Sequence, residues 1–246
     1  DVLALPKGIY KELKRMTNYN PKHHIRLMRY DFHPTVENNW AVSEVNSDVP
    51  GGFAEASLLP KLAIETLKTK KYFSIDFGEN LANALEKKTK KKGTIAFVHC
   101  TSYSDDRQVM QFIGDKMEER GFKSLYVAAD HLDFVDKKAI SILDNHEGPV
   151  DCIFRFTPLE WLRAIKPKTW DGYFDTETPS CNHPVAIFAQ TKRFPLVWDL
   201  LGNDPLLGSK LSCGRSLFGG FLLALLLIQL LLAGVGGNAV GVGSAA

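Results

Sequence analysis

At 246 residues the chain can hold one large domain or two small ones, and 45% hydrophobic with 24% charged residues is an ordinary globular composition. A net charge of +2 excludes a strong overall pull toward nucleic acid or a membrane surface. Cys100, Cys152, Cys181 and Cys213 form no CxxC and no zinc spacing, which suits a reducing compartment and makes the cytoplasm the expected location. No signal peptide is read, although a chain that begins at Asp1 leaves targeting open.

In chain order, residues 6–17 predict an amphipathic helix with Ile9, Leu13 and Met16 on one side. His23 and His24 are adjacent, so in extended chain they face opposite ways and do not suit one metal ion. Residues 28–32 and 40–45 alternate apolar and polar positions around a turn-rich 33–39, which predicts a β-hairpin. Residues two apart on a strand share a face, so Arg29 projects with Asp31, and Glu44 with Asn46 and Asp48. Paired side by side, the two strands would set one cation and several oxygen donors on one surface. That suits Mg²⁺ bound with phosphate. The alternative is an ordinary solvated hairpin face. The following Val49-Pro50-Gly51-Gly52 would let the backbone approach a ligand closely. Residues 54–69 predict a helix carrying Leu58, Leu59, Leu62, Ala63 and Leu67, and 74–88 a second helix. The lysine-rich run 87–92 has no interleaved aromatics. It reads as a solvated linker, and no nucleic-acid partner is expected.

From Gly93 the pattern changes. Residues 94–99 form a short apolar run, as in a buried parallel strand, 105–121 a helix ended by Gly121, and 124–128 the next strand. A helix is expected around 137–143 and a further strand at 150–156. This is a small doubly wound α/β lobe with right-handed crossovers, of the kind that binds ligands at the carboxyl ends of its strands. His99 and Arg155 fall at those ends and are candidate substrate contacts. The alternatives there are a helix cap at Ser104 and a paired arginine. No GxGxxG, P-loop or GxSxG elbow occurs, and Cys100 and Cys152 read as buried hydrophobes.

Residues 216–246 contain no charge, and 217–235 are apolar apart from Gln229, long enough to cross a bilayer as a helix. Lys210 and Arg215 on one flank would suit a cytoplasmic side. The tail is thus either a membrane anchor, the chain's one route to a membrane, or a non-native end.

Two segments carry a family resemblance. The first is Arg29-x-Asp31 followed by Glu44-x-Asn46-x-Asp48. The second runs from Asn182 through Gln190 and Lys192 to Trp198. Together they resemble the glutathionylspermidine synthase family, over about residues 25–201. The resemblance implies a permuted ATP-grasp catalytic unit with a pre-ATP-grasp lobe. Asp31, Glu44 and Asn46 would hold Mg²⁺, Arg29 would stabilise the transferring phosphoryl group, and Lys192 would hold the nucleotide of ATP. The second segment would be an apolar strand leading to an amide and that lysine. Asp48 and Gly51 join His99 and Arg155 as candidate substrate contacts.

The implied reaction joins a small-molecule acid and an amine through an acyl phosphate. Glutathione-binding members carry serine-rich residues where this chain has Val49-Pro50-Gly51-Gly52. The family's later lysine, glycine-rich lid and acidic residues have no counterpart after Leu201. The expected layout is therefore a partial ATP-grasp-like region at 1–92, the pre-ATP-grasp lobe at 93–175, the start of a nucleotide-binding segment at 176–210 and the apolar tail at 211–246. An incomplete copy of this kind would have weak or no ligase activity alone. The alternative is a non-catalytic binding module, cytoplasmic or tethered by the tail.

Overall fold

The computed structural model describes residues 3–16, 19–68, 70–163 and 165–193, together with the backbone of 239–245. Its centre is a parallel sheet of four strands. β3 (Thr94–Val98) lies between β4 (Lys123–Val127) and β8 (Cys152–Arg155), and β9 (Ser180–Cys181) closes the order β4-β3-β8-β9. The apolar run of β3 follows from burial on both faces. Ile95 and Phe97 enter one core, Ala96 and Val98 the other.

The first core is closed by α3 (Phe77–Lys88) and α4 (Ser104–Glu119), through Leu81, Leu85, Met110 and Ile113. Ile25, Leu27 and Phe53 join the same core. Asp76 caps α3 by accepting the Glu79 N–H at 2.9 Å, so this helix starts later than the expected residue 74. Glu79 ties α3 to α4, accepting from Lys116 at 2.7 Å and Arg120 at 2.6 Å, and those two cations lower its pKa. The Ser104 hydroxyl makes no cap; it donates to Asp105, and Tyr103 stands at the cap position. Gly121 follows α4 at φ +83°, the left-handed ending expected of it.

The opposite face is covered by α1 (Lys7–Arg15), α5 (Leu159–Leu162) and α6 (Pro167–Asp175), through Ile9, Leu13, Leu159, Leu162 and Tyr173.

The expected hairpin is β1 (Arg26–Pro34) with β2 (Trp40–Asn46), antiparallel. It belongs to a separate sheet, joined to the parallel one by an isolated bridge between Ile25 and Cys181 of β9. The other edge of β1 pairs in parallel with β10 (Ala239–Ala245).

Two expectations are corrected. No helix forms at 137–143. Asp136 and Lys137 sit at φ +49° and +62°, a left-handed pair that turns β5 (Leu132–Val135) back on β6 (Lys138–Ser141), with β7 (Gly148–Pro149) beside it. The apolar run after His183 is not a strand. It is a 3-10 turn, Pro184–Ala186, and a short helix, α7 (Ile187–Gln190).

α2 (Phe53–Leu67) forms as expected, but only Phe53 and Ser57 are buried. Its leucines Leu58, Leu59, Leu62 and Leu67 are exposed, as are Tyr72 and Phe73 beyond it. Among the described residues no helix is long and apolar enough to cross a membrane, and the expected span at 217–235 lies outside them.

Candidate functional site

The register of the hairpin decides where the charges meet. Arg29 lies opposite Asn46, and Asp31 opposite Glu44. Directly paired residues of an antiparallel ladder share a face, so all four side chains stand on one surface. The register shifts between Asp31 and Phe32, leaving Ser43 as the extra residue of a bulge, and its hydroxyl donates to the Asp31 carbonyl at 3.0 Å. The irregularity therefore sits beside the acidic pair and does not disturb the alternation from Glu44 to Asn46.

The Arg29 guanidinium grips Asp31 as a fork, Nε to Oδ1 at 2.7 Å and Nη2 to Oδ2 at 2.9 Å. This carboxylate raises the Arg29 pKa. Lys192 Nζ lies 2.9 Å from a Glu44 carboxylate oxygen. Asn46 Oδ1 is buried and has no hydrogen-bond partner. The structure thus brings Arg29, Asp31, Glu44, Asn46 and Lys192 together from three separate segments.

As a donor set, two carboxylates and an orphaned amide oxygen fit a hard divalent cation, and the guanidinium and ammonium beside them fit phosphate. Among the described residues no group of three or more His, Cys, Asp or Glu could hold a metal ion, so an amide has to complete such a set.

The segment after Cys181 clasps the hairpin. Asn182 Oδ1 accepts the Leu27 N–H at 2.7 Å, while its Nδ2 donates to the Leu27 carbonyl at 2.8 Å and the Asp48 carbonyl at 3.2 Å. Gln190 Oε1 accepts the successive N–H groups of Ser47 at 2.7 Å and Asp48 at 3.1 Å. The Ser47 hydroxyl donates to the Ala186 carbonyl at 2.9 Å. Two amide side chains thereby fix the backbone directly after Asn46 and anchor the segment that carries Lys192. Sequence reasoning did not assign Asn182 or Gln190 this role. The available signal was two amides in an otherwise apolar run.

Asp48 does not stay on the cation surface. It lies past the end of β2, where one carboxylate oxygen accepts from Arg155 and the other from the Leu159 N–H at 2.9 Å. Both charged residues are 2% exposed. Arg155 also donates to the Thr157 carbonyl at 2.6 Å, so the paired-arginine alternative describes its position. His99 is buried, with Nδ1 3.4 Å from the Phe97 carbonyl, and burial lowers its pKa. Of the two glycines after Pro50, only Gly52 has a left-handed backbone, at φ +88°. A Cβ on Gly51 would meet nothing nearer than the Phe156 ring at 3.9 Å.

A second polar cluster lies under the start of the hairpin. Tyr19, His24 and His183 cluster with ring centroids 4.4 to 5.4 Å apart, Tyr19 stacked on His24 and His183 tilted against both, beside a cavity of about 340 Å³. Each histidine accepts a backbone N–H on Nδ1, from Ser180 and Val185 respectively, both at 3.2 Å. Burial pushes His24 down to about 4 and His183 well below the usual histidine range. His23 ends a 3-10 turn, Pro21–His23, and is exposed, while His24 after it is buried, so the two do not share a site.

Residues 2–212 match the family model described as glutathionylspermidine synthase preATP-grasp. Among solved structures the chain is similar to the apo form of a glutathione synthetase-like effector from Globodera pallida, at 14% identity and a TM-score of 0.55. That similarity covers 82% of this chain and 50% of the effector, so the chain spans about half the length of its structural relative. No curated protein matches in sequence.

Proposed function

The chain belongs to the glutathionylspermidine synthase preATP-grasp family, and from that premise we propose that it carries the metal and phosphate half-site of an ATP- and Mg²⁺-dependent carbon–nitrogen ligase. The observation that carries this reading is the hairpin face. Asn46 Oδ1 is buried and unpartnered on the strand face that also carries Asp31 and Glu44, whose carboxylates meet Arg29 and Lys192. An unpaired buried acceptor is costly unless a ligand meets it.

Bound Mg·ATP would supply the phosphoryl group that activates a substrate carboxylate and the charge neutralisation its transfer requires. On this reading Asp31, Glu44 and Asn46 hold the cation, Lys192 holds nucleotide phosphate, and Arg29 stabilises the transferring phosphoryl group. Asn182 and Gln190 keep the hairpin and the Lys192 segment in fixed relation, which matters because this catalysis is positioning and electrostatics. The acid and amine substrates are small molecules. Asp48 and Arg155 enter as the buried pair that fixes the chain after Asn46, and Gly51 and His99 remain candidate substrate contacts.

The test is thermal stabilisation of the full chain by ATP with Mg²⁺. A Tm that rises with Mg·ATP in the wild type and does not move in Asp31→Ala supports the half-site. The second reading, a non-catalytic binding module, is favoured by the exposed leucines of α2 and by a structural relative described as an effector. Ligand stabilisation indifferent to Asp31, Glu44 and Lys192 would support that reading instead.

A further inference from the structure

The donor set on the hairpin is already neutralised from within. Both oxygens of Asp31 are taken by the fork of Arg29, at 2.7 and 2.9 Å. A Glu44 oxygen is taken by Lys192 at 2.9 Å. A divalent cation that uses these carboxylates has to displace one or both resident cations. A displaced guanidinium or ammonium then stands beside the incoming metal, like charge against like, unless another anion takes it. The polyphosphate of a nucleotide is such an anion, and an arginine fork matches its geometry. Conversely, polyphosphate that draws Arg29 and Lys192 away leaves two bare carboxylates, which a divalent cation satisfies.

We propose that Arg29 and Lys192 are resident counter-ions that stand in for the metal, so that divalent cation and polyphosphate bind as a mutually dependent pair and the cation alone binds weakly. This rests on the half-site reading above and adds a coupling to it. By linkage, the factor by which nucleotide tightens the metal equals the factor by which metal tightens the nucleotide.

The two stand-ins are unequal. The Arg29–Asp31 pair is bidentate, with side chains 27% and 28% exposed. The Lys192–Glu44 pair is single and open, 78% exposed on the lysine side, and is screened by solvent. Arg29 therefore carries most of the coupling.

The test uses the full chain and Mn²⁺ as the probe, with free Mn²⁺ read by electron paramagnetic resonance, in the absence and presence of a non-hydrolysable ATP analogue. After subtraction of the Mn²⁺ that the analogue binds in protein-free controls, the wild type is expected to bind Mn²⁺ about tenfold or more tightly with the analogue than without it. Arg29→Met is expected to tighten Mn²⁺ alone by about tenfold, and Lys192→Met by about twofold, while both lower affinity for the analogue. Arg193→Met removes an adjacent exposed charge and should leave Mn²⁺ binding unchanged, which separates direct displacement from the general field. Arg29→Gln, which keeps a polar side chain of similar shape, should tighten Mn²⁺ in the same direction and guards against a misfolded Arg29→Met. If the wild type binds the Mn²⁺–analogue pair but neither Arg29 variant tightens Mn²⁺ alone, the stand-in role is overturned and the half-site survives. If no Mn²⁺ binds under either condition, the half-site fails and the coupling fails with it.

Discussion

Replacing Asn182 by alanine tests whether the clasp holds the hairpin to the parallel sheet. Asn182 is 2% exposed and serves three backbone groups: the Leu27 N–H, the Leu27 carbonyl and the Asp48 carbonyl. Leu27 and Asp48 are themselves 1% and 2% exposed, so water has little access to the groups left behind. A buried hydrogen bond contributes about 1 kcal/mol, and each orphaned partner costs about 1–3 kcal/mol. Three such groups, with partial relaxation, give an expected loss of about 3–4 kcal/mol. That is a large share of the roughly 5–15 kcal/mol that holds a typical domain together. Urea unfolding followed by tryptophan fluorescence should show the midpoint falling with an unchanged slope. A loss below about 1 kcal/mol would mean that the three groups find other partners, and the clasp would not be what fixes the hairpin.

Other predictions follow from the same packing. Asp48→Asn or Arg155→Met alone should destabilise by about 3–5 kcal/mol, because each leaves one charge buried without its partner, while the double variant should lose less than the sum; a double-mutant cycle in urea reads this. Stability should fall in acid through the buried histidines. The unfolded chain takes up protons on His24 as pH drops through about 6.5, while folded His24 resists until about 4. The contribution is therefore intact above about pH 6.5 and lost by about 4, some 3 kcal/mol in all. His24→Asn should remove one proton's worth of that slope and leave the part owed to His183, and an unchanged profile would count against burial of a neutral His24 ring. Leu62→Lys on the exposed face of α2 should change stability by less than about 0.5 kcal/mol in the same urea titration.

Much of the fold could be read in the sequence because its elements are locally encoded. β3 is apolar throughout since both its faces are buried, and α4 ends where Gly121 takes a left-handed backbone. The hairpin was legible from alternation, and its register then set Arg29 against Asn46 and Asp31 against Glu44. Two readings failed for local reasons. Residues 137–143 have apolar spacing that suits a helix, but the left-handed Asp136-Lys137 pair makes a strand reversal there. Residues 185–189, where the family resemblance implied a strand, form a 3-10 turn and a short helix instead, and so short an apolar run suits either.

The rest was long-range. The pairing of Asp48 with Arg155 and the grip of Asn182 on Leu27 join residues more than a hundred positions apart, and nothing in their own neighbourhoods announces the partner. The α2 leucines have helical spacing that usually means burial, yet here they face outward.

The most direct measurement is titration calorimetry of the full chain with ATP and Mg²⁺, beside Glu44→Ala. Glu44 lies on the shared hairpin face with Lys192 against it, and its removal leaves the Asn182 and Gln190 contacts in place. Saturable binding of Mg·ATP by the wild type, lost or weakened at least tenfold in Glu44→Ala, is the predicted result. Equal binding by the two proteins, or none by either, would contradict a metal and phosphate site on this hairpin.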